Sequence, residues 1–285
     1  MSSGRSITSA EWNAFSSQFM KLATAGPGVA PAARMVKRAH ELLPFSKATI
    51  VVDMGCGPGQ ITDTVLKDHL SALPPTATLV GADLSAQMLE SYNKRKQEEV
   101  DSGNAYWSRA QTVQTDVTDC AAFSDGSVSH MLAGFLVFFV PTPEQALQAM
   151  KRTLTPGGVL SMSAWTSSHW MDLMYYPKKV RPDLVMPRLP NTWTSVDGVT
   201  AQLEKAGFQE IEVLETEGYW PFDDYDEACR FILTKLPLSS RVVGQMTEEE
   251  VLKTHELMVR DLKEWYPSVP AKMVGNATVA FARKI

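Results

Sequence analysis

Short apolar runs alternate with amphipathic stretches along most of this chain, and the alternation places its elements. Residues 49–53, 79–83, 110–115, 128–134 and 159–164 are runs rich in Val, Ile, Leu and Ala, each bounded by turn residues, and predict five strands. Between the first two, Ile61, Val65, Leu66 and Leu70 recur at helical spacing until Pro74-Pro75 stops them. Ser85 caps a helix carrying Met88, Leu89 and Tyr92. Thr142-Pro143-Glu144-Gln145 reads as a capping box with proline at the first helical position, and Leu147, Met150 and Leu154 bury the helix that follows. Strands alternating with helices predict an α/β chain with a parallel sheet.

Both ends depart from this rhythm. Residues 6–46 predict two helices broken at Gly26-Pro27-Gly28-Val29-Ala30-Pro31. In the second, Met35, Val36, Ala39, Leu42 and Leu43 should face the sheet. In the first, Trp12, Phe15 and Phe19 share one face, which suits a docked amphipathic helix or a lid equally. Residues 165–195 are too aromatic for a linker and too proline-rich for a long helix. Val199, Leu203 and Ala206 predict a helix ended by Gly207, and residues 211–214 a strand. Two helices are expected over 223–266, where Asp224 to Glu227 and Thr247 to Glu250 both have capping-box form. The alternating tail, 277–282, predicts a last strand.

The chemistry concentrates in Val51-Val52-Asp53-Met54-Gly55-Cys56-Gly57-Pro58-Gly59-Gln60, a buried strand running into a glycine turn that opens a helix. Asp83 ends the next strand, 28 residues past Gly55. A glycine turn lets backbone approach a ligand, and an acid on the neighbouring strand takes ribose hydroxyls. The spacing here is Asp-x-Gly-x-Gly-x-Gly, not the G-x-G-x-x-G of a dinucleotide fold, and no Gly-Lys-Ser/Thr follows to make a P-loop. An acid at the strand end suits a cation better than a pyrophosphate.

These residues resemble the first two motifs of the class I S-adenosylmethionine-dependent methyltransferases. Thr115-Asp116-Val117 and Leu154-Thr155-Pro156-Gly157-Gly158 resemble two more, in order across residues 48–164. The resemblance implies a Rossmann-like seven-stranded sheet of order 3-2-1-4-5-7-6, with helices on both faces and a helical lid insertion. It implies an N-terminal helical cap (1–47), a cofactor-binding core (48–222 and 271–285) and a lid or acceptor insertion (223–270). S-Adenosyl-L-methionine is the implied cofactor. Asp53, Gly55, Cys56, Gly57, Gly59 and Gln60 would meet its methionine part, and Asp83 with Leu84 its ribose. Asp116 and Val117 would hold adenine, Phe135 would lie nearby, and Met88 would either cover adenine or pack in the core.

Composition adds exclusions. A net charge of −5 advertises neither nucleic acid nor an anionic membrane. The three cysteines, Cys56, Cys120 and Cys229, are far apart, which fits a reducing compartment and no metal site. The beginning carries no secretion signal and no run of roughly 18 apolar residues occurs, so a cytoplasmic protein, monomeric or weakly dimeric, is expected.

The exit of the fourth strand, Ala133-Gly134-Phe135-Leu136-Val137-Phe138-Phe139, offers no hydrogen-bonding side chain. It lacks the Asn/Asp-Pro-Pro-Tyr of base-amine methyltransferases and argues for a small apolar acceptor. Trp12, Phe15, Phe19, Phe139, Trp165, Trp170 and Met174 are the expected acceptor pocket. His169, followed by Asp172, is the best candidate base; His40, His69 and His255 fall on helices, and His130 starts a strand at the wrong end of the sheet. Without a base, a thiol needs least help, being partly ionised near neutrality. The arrangement is similar to secondary-metabolite methyltransferases of filamentous fungi, some of which S-methylate reduced epidithiodiketopiperazines such as gliotoxin. O- or N-methylation of another metabolite, and a cofactor-binding protein of this fold that transfers no methyl, remain the alternatives.

Overall fold

The structure, a computed structural model, describes residues 9–186 and 190–285, except for the side chains of residues 9, 14, 16–19, 21 and 23. Seven strands form one sheet of order β3-β2-β1-β4-β5-β7-β6, the order expected. They are β1 (Ile50–Met54), β2 (Thr78–Asp83), β3 (Ala110–Gln114), β4 (Val128–Gly134), β5 (Leu154–Ser168), β6 (Gln209–Phe222) and β7 (Ala271–Arg283). The first five are parallel to one another, and β7 runs antiparallel between β5 and β6.

Alternation along each strand divides the core. Val51, Leu79, Val159, Val279 and Phe281 lie on one face, under α2 (Val29–Leu42) and α3 (Gln60–His69). Val52, Val80, Met131, Leu160 and Ala280 lie on the other, under α5 (Pro143–Thr153) and α8 (Val196–Lys205). Both faces are covered, as buried parallel strands require. Helix α4 (Ala86–Asp101) is capped by Ser85, which accepts from the Met88 amide.

Three local expectations change. Thr142 makes no capping bond to α5; its backbone at ψ 73 leaves the hydroxyl off the helix end, and Thr142 lines the cavity described below. Residues 223–266 hold three helices, not two: α9 (Tyr225–Thr234), α10 (Pro237–Val243) and α11 (Glu248–Trp265). Pro237 starts the extra one. Strands β5, β6 and β7 all outrun their expected lengths. Their far halves leave the two-faced core and join a third cluster, where Trp220, Phe222 and Met273 meet Trp170 and Leu173 of α6 (His169–Met174) and residues of α9 and α11.

At the amino end, α1 (Ser9–Ala25) and α2 are separated at Gly26–Gly28, with Pro31 tolerated in the first turn of α2. Helix α1 lies over the carboxyl ends of the strands, where Asn13 Oδ1 accepts from Ser85 Oγ at 2.5 Å. No helix among the described residues is long and apolar enough to cross a membrane.

Candidate active site

The carboxyl ends of β1, β2 and β4 converge where the strand order reverses, the position at which open α/β sheets bind ligands. A cavity of about 580 Å³ opens there, within the range of small-molecule sites.

Asp53 is the last residue but one of β1 and is 2 % exposed. Its Oδ2 accepts from the Thr62 amide at 2.9 Å and the Thr62 hydroxyl at 2.8 Å. Gly59, the residue before α3, has no side chain to cap the helix, and Asp53 takes that part from the strand. Burial nevertheless pushes the carboxyl up to about 6, against those two bonds. Thr62 in turn accepts from the Tyr92 hydroxyl. Only partnership in space reveals Thr62; a threonine in a first helical turn gives no sequence signal.

Asp83 fastens the glycine turn to β2. Its Oδ2 accepts from the Gly57 amide at 3.0 Å and its Oδ1 from the Ser85 amide at 2.8 Å. Burial raises its pKa, and those backbone donors oppose the rise. Asp116 closes its own turn, Oδ1 accepting from the Thr118 amide and hydroxyl at 2.8 and 2.7 Å.

Asp53, Gly55, Cys56, Gly57 and Gln60 all line the cavity, as do Asp83, Leu84 and Met88. Asp116 and Val117 complete that end, and Phe135, stacked on Trp165, stands where it meets the aromatic end. Gly59 does not line it. The glycine (φ +83) faces inward, and a Cβ there would lie 2.7 Å from Tyr92 and 2.9 Å from Trp107. Its role is close packing of the helix, a correction to the expectation that it meets the ligand. Cys56 is buried, and burial beside Asp53 and Asp83 drives its thiol well above its ordinary pKa.

The residues fit the cofactor that the resemblance implies. Gly55 and Gly57 present backbone at positive φ, with no side chain between turn and cavity. Gln60 Nε2 is a buried donor with no partner at the wall, where an amino-acid carboxylate would satisfy it. Asp83 and Asp116 stand at the same wall, where their carboxylates could accept from a diol and an exocyclic amine.

The other end of the cavity is aromatic. Trp12 and Phe15 of α1, Phe139, Trp165, Trp170 and Met174 line it. Phe19 lies outside the described side chains. Met171 joins them, as do Trp220, Tyr175 and Leu236–Leu238, which the sequence does not mark as pocket residues. The tract 165–195 held the signal for Met171 and Tyr175; Trp220 sits in the part of β6 that was not expected to be strand.

His169 and Asp172 do not line the cavity. His169 begins α6 with its Nδ1 2.6 Å from the Tyr266 hydroxyl and its ring against Trp265, while Asp172 is exposed. The helix turns both away from the wall, and the structure corrects the expectation of a base there. Among the described lining residues, the acceptor end carries one titratable group, the Tyr175 hydroxyl.

Residues 52–162 match the family described as a methyltransferase domain. The chain is 30% identical over 273 residues to Methyltransferase ucsB of Acremonium sp., covering 94% of this chain and 93% of that one. It belongs to the class I S-adenosylmethionine-dependent methyltransferases. Methyltransferase tpcH of Aspergillus fumigatus is 26% identical over 246 residues, 82% of this chain and 84% of the relative. A solved methyltransferase of Bacillus halodurans, described as putative, shares the fold at TM-score 0.52 and 16% identity, covering 87% of this chain and 99% of its own. A Thermotoga maritima structure described as a possible histamine N-methyltransferase matches at TM-score 0.51 and 16% identity, covering 97% and 99%.

For this methyltransferase the geometry separates two tasks. The cofactor supplies an electrophilic methyl group on a sulfonium. The aspartate-and-glycine end would hold that cofactor, and the aromatic end, walled by Trp, Phe and Met side chains, would keep water from the methyl group.

Proposed function

We propose that this methyltransferase acts on a thiol of a small, largely apolar secondary metabolite, such as a reduced epidithiodiketopiperazine. The observation that carries the reading is the character of the acceptor end: walls of Trp, Phe, Met and Leu, with Tyr175 the titratable group among the described residues there. A nucleophile bound here has to lose its proton with little help. A thiol near its ordinary pKa of about 8.5 is already partly ionised near neutrality. The thiolate attacks the methyl carbon, the new S–C bond forms as the sulfonium S–C bond breaks, and the electron pair stays on the departing sulfur.

The fungal origin of the relatives supports a metabolite acceptor, and the net charge of −5 supports a small molecule over nucleic acid or an anionic membrane. The proposal takes residues 1–47 as a cap, 48–222 with 271–285 as the cofactor core, and 223–270 as the acceptor-side insertion. It takes the enzyme as cytoplasmic, and as a monomer or weak dimer.

O-methylation of a phenol is the second reading, favoured by Tyr175 as the one tyrosine among the described lining residues. Matched acceptors separate the two. Toluene-3,4-dithiol and 4-methylcatechol share a ring and differ only in the acceptor atoms. Faster formation of S-adenosylhomocysteine with the dithiol at pH 7.5 is expected. Turnover of the catechol without turnover of the dithiol overturns the thiol reading.

A further inference from the structure

Phe135 is one of three described non-glycine residues with positive φ, at +52°. An aromatic side chain seldom adopts this region, and residues held there cluster at functional sites. The backbone twist is clamped: the Phe135 amide donates to both the carbonyl and the hydroxyl of Ser163, each at 3.1 Å. It aims the ring. Phe135 stacks on Trp165 with centroids 4.2 Å apart and planes 11° from parallel.

Trp165 is fixed from behind. It meets Trp170 edge-on at 5.0 Å, and it occupies space that Gly218 leaves, where a Cβ would lie 2.8 Å from its ring. The next residue, Leu136, packs where a Cβ on Gly55 would sit, 2.9 Å away, which ties the ring's position to the glycine turn. Phe135 and Trp165 both line the cavity and are only partly buried. Two parallel rings with an accessible face extend readily to a third, and offset stacking rewards planarity.

We propose that Phe135, backed by Trp165, is a stacking platform that selects acceptors carrying a planar ring, and that the strained backbone at 135 serves to aim it. The inference rests on the reading of the cavity's aromatic end as the acceptor site, but not on which atom is methylated. The planar ring makes Phe135 a positioning residue whose effect belongs to acceptor shape.

Calorimetric binding of 2-naphthol and decahydro-2-naphthol tests it, each at an S-adenosylhomocysteine concentration saturating for the variant used. These probes share a ten-carbon bicyclic skeleton with one hydroxyl and differ in planarity; the hydroxyl's own change in acidity is common to wild type and variants and cancels in the comparison between them. The wild type should favour 2-naphthol. Phe135→Leu should weaken 2-naphthol binding by about three- to tenfold and leave the saturated alcohol within about twofold. Phe135→Tyr should restore the preference. Phe135→Gly, which relieves the positive φ, should melt no lower than Phe135→Leu while losing the preference as fully. Equal weakening of both probes in Phe135→Leu, an unchanged preference, or no binding of 2-naphthol to the wild type overturns the proposal. Failure of the dithiol to be methylated leaves this binding preference intact, so the two readings fail separately.

Discussion

Gly218 of β6 and Gly275 of β7 are register partners, and the hollow their missing side chains leave in the sheet holds Trp165 and Trp170. A Cβ on Gly275 would lie 2.1 Å from the Trp170 ring, and one on Gly218 2.2 Å from the Pro27 carbonyl and 2.8 Å from Trp165. The aromatic end of the cavity therefore depends on two glycines that no motif includes. Gly275→Ala forces a buried indole or the strand to move. It should cost about 1–3 kcal/mol, as overpacking does, read as a lower urea midpoint. Binding of S-adenosylhomocysteine at the far end should stay within about twofold of wild type. An unchanged midpoint would mean that the hollow is not tightly filled.

Two buried groups give stability opposing dependences on pH. Folded Asp53 titrates near 6, above the usual carboxylate range, because burial disfavours its charge. It contributes stability below about pH 4 that is lost as pH rises through 6. His130 runs the other way. Burial pushes its pKa down to about 4, although the Leu43 carbonyl 2.7 Å from Nε2 opposes this. It contributes stability above about pH 6.5 that is lost as pH falls toward 4. Each is worth roughly 3 kcal/mol across its window. Urea midpoints at pH 4.5, 5.5 and 7.0 check this. Relative to wild type, Asp53→Asn should gain stability as pH rises and His130→Gln should lose it. Profiles parallel to wild type would remove both assignments.

Helix α1 is latched over the cavity by an ion pair. Arg241 of α10 reaches both Glu11 oxygens, at 2.6 and 2.8 Å from Nη2. Both side chains are about a third exposed, so the pair is worth only about 0.5–1 kcal/mol. Arg241→Gln should speed hydrogen exchange of α1 amides by about two- to fivefold, and 0.5 M salt should do much the same to wild type. Exchange that responds to neither would show that the ion pair does not hold the helix, leaving the packing of Trp12 and Phe15 and the Ser85–Asn13 hydrogen bond.

The sheet and the cofactor end were legible because they rest on local signals: continuous apolar runs for buried parallel strands, glycines at the turn, an acid at each strand end. The misses have one physical source, which is contact between distant segments. Residues 216–222 alternate cleanly, with Gly218, Trp220 and Phe222 buried, yet Gly218 and Pro221 hide the strand in one dimension. Pro221 is tolerated because β6 is an edge. Gly59 has the spacing of a ligand glycine, and only the fold brings Tyr92 and Trp107 against it. His169 has the chemistry of a base, and only the fold brings the Tyr266 hydroxyl to its ring. Thr142 has the composition of a cap, and its backbone angle takes it elsewhere.

Asp83 is the residue on which the cofactor assignment turns, since it joins the glycine turn, β2 and the start of α4 through two backbone amides. Calorimetric titration of wild type and Asp83→Ala with S-adenosylhomocysteine tests that assignment most directly, with melting curves confirming that both are folded. Micromolar binding to the wild type, weakened about ten- to hundredfold in the variant, is the predicted result. Absence of binding to the wild type, or equal affinity in the folded variant, would contradict the account.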